Sequence, residues 1–116
     1  MEPFDILNAA VKFNEKINQR DLDGLTELMT EDHAFIDNEG TVTRGKEIMR
    51  DSWAKFFEQF PDYRNMFNTV TVQDDVAVMV GYSVCSNNKL SGPNIWTAKA
   101  VGNRISEWRV YWLDKR

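Results

Sequence analysis

The chain has 116 residues, of which 42% are hydrophobic and 28% charged, with a net charge of -4 at pH 7. These totals are typical of one globular domain, expected to span residues 1–116, that is large enough to bury its own core. The acidic balance and the scattered basic residues exclude the clustered positive surface of a nucleic-acid-binding protein, so no nucleic-acid partner is expected.

The chain is poor in residues that bind metals or form covalent links. It has one cysteine, Cys85, and one histidine, His33, which excludes a disulfide framework and a structural zinc site within one chain. We therefore expect no metal and no other cofactor. The first residues, "MEPFDILNAA", lack the basic and apolar regions of a secretion signal. The longest apolar run, "VAVMVGY", is too short to span a bilayer. A cytoplasmic location without a membrane partner is expected.

Three helices are predicted in the first half of the chain. The segment "EPFDILNAAVKFNEKINQ" places Pro3 in a first helical turn, where its missing N–H costs nothing. A second, short helix in "RDLDGLTELM" has Asp21 as its cap, so a tight corner is expected around Arg20. A third helix begins after Gly45 and is ended by Pro61. Apolar residues recur at helical spacing in all three, namely Leu7, Ala10, Val11, Phe13 and Ile17, then Leu22, Leu25, Leu28 and Met29, then Met49, Trp53, Phe56 and Phe60.

Strands are predicted for the rest of the chain. "HAFID" is one strand, and "DNEG" after it has the residues of a type I turn. Four further strands are predicted in "YRNMFNTVTV", "VAVMVGYSVCS", "NIWTAKAV" and "RISEWRVYWL". They are separated by turn-forming stretches that favour antiparallel hairpins. Helices followed by a run of strands predict an α+β fold with the helices on one face of the sheet.

The order of these elements and several short motifs resemble a known superfamily. The segment "RDLDGLTELMTEDHAFIDNEGTVTRGKEIMRDSW", the "FPDYR" that follows the third helix and the terminal "RISEWRVYW" resemble nuclear transport factor 2-like proteins, and most of all the SnoaL-like proteins. The resemblance covers essentially the whole chain. It implies a curved mixed or antiparallel sheet wrapped around three helices, a cone with a deep apolar cavity. Members bind hydrophobic small molecules, run proton-transfer chemistry on them, or serve as binding modules, so fold alone does not settle function.

The ketosteroid isomerases of this superfamily provide the first set of candidate residues. By a gapless match from the D-L-D corner, their general base corresponds to Asp37. Their two oxyanion-hole donors correspond to Phe13 and Ile95. Neither can donate a hydrogen bond to a developing enolate, which argues against steroid isomerisation.

Other chemistries known in the superfamily also lose an essential group in this chain. Limonene epoxide hydrolase-like proteins carry an aspartate at the third position of W-R-x-Y, where this chain has Val110. SnoaL polyketide cyclases carry an acid on the later strands, but no acid occurs here between Asp75 and Glu107. Scytalone dehydratase-like sites use more than one histidine.

The two remaining catalytic candidates are Asp37 and His33. Residues two apart on a strand share a face, so His33, Phe35 and Asp37 are expected to point into the cavity. Four residues of strand span about 13 Å, so a ligand or water would have to lie between the two polar side chains. The alternatives are structural: Asp37 caps the backbone of its turn, and His33 satisfies the last carbonyls of the second helix. Tyr63 and Tyr82 are further candidate donors.

The expected wall of the cavity is apolar and rich in aromatic rings. The chain contains four tryptophans, and the alternative to a walled cavity is a solid aromatic core. Gly81, beside this wall, is expected to leave room for a ligand. The predicted ligand-binding residues are Phe13, Phe35, Trp53, Met79, Ile95, Trp108, Val110 and Trp112.

Two functional hypotheses follow from the sequence. The first is a SnoaL-like small-molecule-binding protein with an aromatic cavity for a hydrophobic ligand, and with Asp37 as the acid/base of an isomerase, cyclase or hydrolase. The second is a non-catalytic ligand-binding or interaction module in which Asp37 only caps its turn. A homodimer through the sheet is also expected, because the strand "VAVMVGYSV" is apolar on both faces and one face would otherwise be exposed.

Overall fold

The computed structural model describes residues 2–116 as three helices and one six-stranded sheet. The helices are α1 (Pro3–Gln19), α2 (Leu22–Glu27) and α3 (Lys46–Gln59). The strands are β1 (Met29–Ile36), β2 (Val42–Arg44), β3 (Arg64–Gln73), β4 (Val76–Val84), β5 (Gly92–Val101) and β6 (Arg104–Trp112). The short strand β2 was not predicted from the sequence. A 3₁₀ turn, Asn88–Leu90, lies between β4 and β5.

The corner between α1 and α2 follows from its local sequence. Arg20 ends α1 in the left-handed region, with φ 57°. Its guanidinium donates to the carbonyl oxygens of Ile17 and Asn18 at 3.2 and 3.1 Å, which satisfies the open end of the helix. The carboxylate of Asp21 then accepts from the backbone N–H of Gly24 at 3.0 Å and caps α2, as predicted.

The sheet is mixed, with the strand order β2-β1-β6-β5-β4-β3. All neighbours are antiparallel except β1 and β6, which pair in parallel. The register shifts at Asn68 of β3 and at Ser106 of β6, each an extra residue without a partner in the ladder, and such bulges bend a strand and increase its twist. The predicted α+β class with a mixed, open sheet is therefore confirmed.

The core lies between the inner face of the sheet and the helices. The ring of Phe13 on α1 lies 4.7 Å from the ring of Trp108 on β6, centroid to centroid. Along β4, buried Ala77, Met79, Gly81 and Ser83 alternate with outward-facing residues. This alternation gives the sheet one apolar inner face and one outer face.

Gly81 has a different role from the one expected. A Cβ at this position would overlap the carbonyl oxygen of Met66 on β3. The missing side chain therefore lets the bulged backbone of β3 approach β4 closely. It does not enlarge the cavity.

Among residues 2–116, none of the helices is both long enough and apolar enough to cross a membrane.

Candidate functional site

A concave site with a mostly apolar wall, a cavity of about 300 Å³, lies between α3 and the inner face of the sheet. Its wall is mostly aromatic and aliphatic, with polar groups at the turn after β1 and at the start of β3. The lining residues are Phe35, Asp37, Asn38, Thr43, Met49, Ser52, Trp53, Phe56, Tyr63, Asn65, Leu90, Trp96, Trp108, Val110 and Trp112.

Five of the eight residues predicted to bind a ligand lie in this wall: Phe35, Trp53, Trp108, Val110 and Trp112. Trp53 on α3 organises one side. Its ring contacts Phe35 edge-on at 6.0 Å and Phe56 edge-on at 5.5 Å, measured between centroids. The indole Nε1 of Trp53 is buried and has no acceptor among the described residues. A buried N–H of this kind is costly unless an acceptor reaches it.

Phe13 and Met79, also predicted to bind a ligand, lie behind the wall. Both are fully buried in the core. Phe13 packs against the core side of Trp108, and Met79 is paired with Trp96 across the β4–β5 ladder. They support the two tryptophans that face the cavity and do not line it themselves.

Ile95 was predicted to line the cavity, and this prediction is wrong. Its neighbours Asn94 and Trp96 are both 1% exposed and point inward. Ile95 is therefore directed to the outer face, where it pairs with exposed Val80. The comparison with the ketosteroid isomerase pattern placed β5 out of register by one residue, and such a shift reverses the face of every side chain on the strand.

His33 was predicted to be catalytic, and its surroundings contradict that prediction. The ring is fully buried, packs 5.5 Å from Phe13 and does not line the cavity. Its Nδ1 lies 2.7 Å from the carbonyl oxygen of Ile105 on β6. Burial lowers the pKa of His33, although this hydrogen bond opposes the shift. A structural role was the alternative, but the partner is a carbonyl of β6 and not the end of α2.

Asp37 lies where the cavity meets the turn after β1. It lines the cavity, and its Oδ1 accepts hydrogen bonds from the backbone N–H groups of Glu39 at 2.9 Å and Thr41 at 3.0 Å. Asp37 therefore both lines the cavity and caps its turn. Because His33 is enclosed in the core, the structure does not bring the two catalytic candidates together.

A polar cluster at the start of β3 was missed by the sequence analysis. Ser83 Oγ lies 2.7 Å from Asn94 Nδ2, 2.9 Å from Asn65 Oδ1 and 3.1 Å from the hydroxyl of Tyr63. Tyr63 and Asn65 line the cavity. Burial raises the pKa of the Tyr63 hydroxyl, so this phenol stays protonated. The other candidate donor, Tyr82, is 42% exposed on the outer face of the sheet.

Arg116 joins this cluster from the end of the chain. Its Nη2 donates to Asn94 Oδ1 and, at 2.8 Å, to the carbonyl oxygen of Pro93. Its Nε donates to the carboxylate of Asp114 at 2.8 Å. The guanidinium stacks over the ring of Trp112, 4.5 Å from its centroid. The positive charge of Arg116 therefore lies next to the polar cluster, on the side away from the cavity.

Part of this cluster follows from the pairing of β3 with β4. Asn65 is paired with Ser83 across the β3–β4 ladder, and both are inward-facing positions where an apolar residue is the usual choice. The contribution of Arg116 has no comparable signal, because it depends on where the chain folds after its last strand. No three His, Cys, Asp or Glu side chains in the described part of the chain converge as a metal-ion site.

The chain matches one family model, and its fold is similar to those of several solved structures. A family model described as a SnoaL-like domain matches residues 10–108. An uncharacterized cystatin-fold protein from Novosphingobium aromaticivorans superposes with a TM-score of 0.79 at 19% identity, covering 90% of this chain and 96% of that one. An LEH-like epoxide hydrolase from M. tuberculosis superposes with a TM-score of 0.83 at 12% identity, covering 97% and 85%.

A third similar structure is a protein with a ketosteroid isomerase-like fold from Catenulispora acidiphila. It has a TM-score of 0.73 at 13% identity and covers 90% of this chain and 84% of that one. At these identities the likeness is one of fold. No curated protein matches the sequence significantly.

Proposed function

Because this chain belongs to the SnoaL-like domain family, we propose that its cavity binds a hydrophobic small molecule. The observation that carries the proposal is the cavity of about 300 Å³ with five aromatic side chains from α3, β1 and β6 in its wall, together with Tyr63 and Trp96. Small-molecule sites in proteins are mostly apolar, with a few polar groups that fix the orientation of the ligand.

The size of the cavity limits the ligand. Small-molecule pockets usually measure roughly 300–1,000 Å³, so this cavity is at the small end. The edge-on rings around Trp53 present both faces and edges to a bound ring, an arrangement that favours flat aromatic or alicyclic ligands. We therefore infer a ligand of one or two fused rings.

An acid/base role for Asp37 is the second candidate function, of the isomerase, cyclase or hydrolase type. It is supported by two features of the same side chain. The Oδ1 atom accepts the hydrogen bonds of the turn, and the residue also lines the cavity. An oxygen held in a fixed orientation at the edge of an apolar site is suited to accept a proton from a bound ligand. The non-catalytic alternative assigns Asp37 to the turn alone.

A homodimer through the outer face of the sheet completes the proposal. Four exposed apolar side chains of β3 and β4 lie close together there: Met66, Val80, Tyr82 and Val84, each between 38% and 48% exposed. A contiguous apolar patch on a sheet is typical of a protein–protein contact, and a two-fold axis would cover it on both copies.

Native mass spectrometry of the freshly purified protein tests the ligand proposal. We expect an added mass that is released on denaturation. The variant Val110→Phe should fill the cavity and remove the added mass, whereas Thr97→Phe, on the outer face of the neighbouring strand, should keep it. Equal retention by a folded Val110→Phe protein would show that the mass is bound elsewhere. For the acid/base role, Asp37→Asn should keep the ligand and abolish its conversion.

A further inference from the structure

In the polar cluster each group donates a hydrogen bond to the next, and this order of donors and acceptors begins at Arg116. A guanidinium can only donate, so Asn94 must turn its carbonyl oxygen toward Arg116. The amide nitrogen of Asn94 is then directed to Ser83 Oγ, at 2.7 Å. The side-chain orientation of Asn94 is thereby fixed by charge.

The same direction continues through Ser83 to Asn65. Because Ser83 Oγ accepts from Asn94, its single hydrogen is free to be donated to Asn65 Oδ1, at 2.9 Å. The oxygen of Asn65 is thus occupied, and its NH₂ group becomes the end of the chain. Since Asn65 lines the cavity and is only 3% exposed, that end is an amide donor in an apolar space.

The backbone of Asn65 is held as firmly as its side chain. Asn18 on α1 accepts from the N–H of Asn65 at 2.9 Å and donates to its carbonyl oxygen at 2.8 Å. The amide nitrogen of Asn14, one turn earlier, donates to the same oxygen at 3.3 Å. The donor is therefore pre-organised, which spares a ligand the cost of ordering it.

Tyr63 cannot replace Asn65 as the donor. The hydrogen of Ser83 is committed to Asn65, so the contact of 3.1 Å between Tyr63 and Ser83 is made by the Tyr63 hydroxyl donating to Ser83 Oγ. What Tyr63 presents to the cavity is its oxygen. Within this cluster, the NH₂ group of Asn65 is therefore the donor that remains for a ligand.

The charge behind the cluster strengthens this donor. The side chain of Arg116 is 2% exposed, so its field is weakly screened by water. Hydrogen bonds in series polarise one another, and each link from the guanidinium to Asn65 increases the acidity of the next donor. Asp114 partly balances the charge from the solvent side at 2.8 Å.

We propose that Asn65 determines specificity by donating a hydrogen bond to a carbonyl oxygen of the ligand, with its orientation fixed by Arg116, Asn94 and Ser83. This inference rests on the proposed function and narrows it to neutral aromatic ketones and related acceptors. Hydrocarbons of the same shape would leave the amide unpaired in an apolar cavity, which is costly. Asn65 thus supplies a donor that Phe13 and Ile95 do not.

A matched pair of two-ring probes tests the inference. We would titrate ¹⁵N-labelled protein with 2-acetylnaphthalene and with 2-ethylnaphthalene, which differ in the carbonyl group. The ketone should bind about tenfold more tightly, the value of one buried hydrogen bond of roughly 1.4 kcal/mol. Only the ketone should move the side-chain NH₂ resonance of Asn65 downfield.

Variants locate the effect. Asn65→Leu should bring the affinity ratio close to one, whereas Asn68→Leu, the same change at an exposed position of the same strand, should leave it near ten. Ser83→Ala releases the Asn65 amide and should reduce the ratio even if Asn65→Leu does not fold. Equal binding of both probes by the wild-type protein would overturn the inference and leave the ligand proposal intact. Binding of neither probe would overturn both.

Discussion

The imidazole Nδ1 of His33 donates a hydrogen bond to the carbonyl oxygen of Ile105 at 2.7 Å. The ring nitrogen Nδ1 must carry that proton because a carbonyl only accepts, so the neutral ring has an unprotonated Nε2. That Nε2 is buried without a partner among the described residues. Charging the ring would place a second N–H in a site with no acceptor, in agreement with the lowered pKa that burial produces.

The first prediction concerns the dependence of stability on pH. With a folded pKa below the unfolded value, the unfolded chain binds more protons, so the free energy of unfolding should fall as pH drops through about 6.5. We expect a loss of about 1 kcal/mol between pH 7.5 and 5.5, measured by urea denaturation. His33 is the only histidine, so His33→Gln should flatten the curve in this window. An unchanged slope in that variant would assign the effect to other groups.

The second prediction separates the two roles of Asp37 by their energetics. Asp37→Ala removes the acceptor for the N–H groups of Glu39 and Thr41 and should cost about 1–2 kcal/mol of unfolding free energy. Asp37→Asn keeps an oxygen at the same place and should cost less than about 0.5 kcal/mol. An equal loss in both variants, seen in urea titrations at pH 7, would mean that the negative charge itself stabilises the fold.

The third prediction tests why Gly81 is a glycine. Gly81→Ala should be strongly destabilising, because the new Cβ overlaps the carbonyl oxygen of Met66. Gly102→Ala is the matched control: this glycine has φ 61° and no neighbouring atom within 4 Å of an added Cβ. The control should lose only the conformational cost of about 1–2 kcal/mol. Calorimetric melting should show at least twice that loss for Gly81→Ala, and a smaller loss than the control would contradict the close-approach explanation.

The fourth prediction addresses the outer face of the sheet. Sedimentation velocity at tens of micromolar should show a dimer, and Tyr82→Lys should convert it to a monomer by placing a charge in the apolar patch. Val42→Lys changes an equally exposed apolar residue on β2, at the opposite edge of the sheet, and should leave the dimer intact. A wild-type monomer at these concentrations would remove the dimer from the proposal.

The sequence predicted the elements whose signals are local. The apolar spacing of α1 and α3, the cap at Asp21 and the turn residues between the later strands depend only on near neighbours, and all are found. Strand β2 has three residues and no alternation long enough to detect. The parallel pairing of β1 with β6 joins distant segments and has no short-range signature.

The site was harder to predict from the sequence than the fold, and the reason is physical. The face of a strand residue depends on register, and an error of one residue on β5 placed Ile95 inside and left Asn94 unnoticed. The polar cluster combines residues from three strands and the end of the chain, which only the tertiary fold brings together. The position of Asp37 at the cavity edge could be predicted because the strand and the turn that place it are adjacent in sequence.

The position of β6 has a consequence for how the protein acquires its structure. β6 is the last strand in the chain, yet it lies in the middle of the sheet, between β1 and β5. The β1–β2 pair and the three antiparallel strands β3, β4 and β5 therefore share no ladder of hydrogen bonds until β6 is in place. Pairing over such a long sequence separation is slow, because loop-closure entropy is lost before the contacts form. During synthesis on the ribosome, each of the two parts therefore keeps an unpaired strand edge until β6 has been made and joins them.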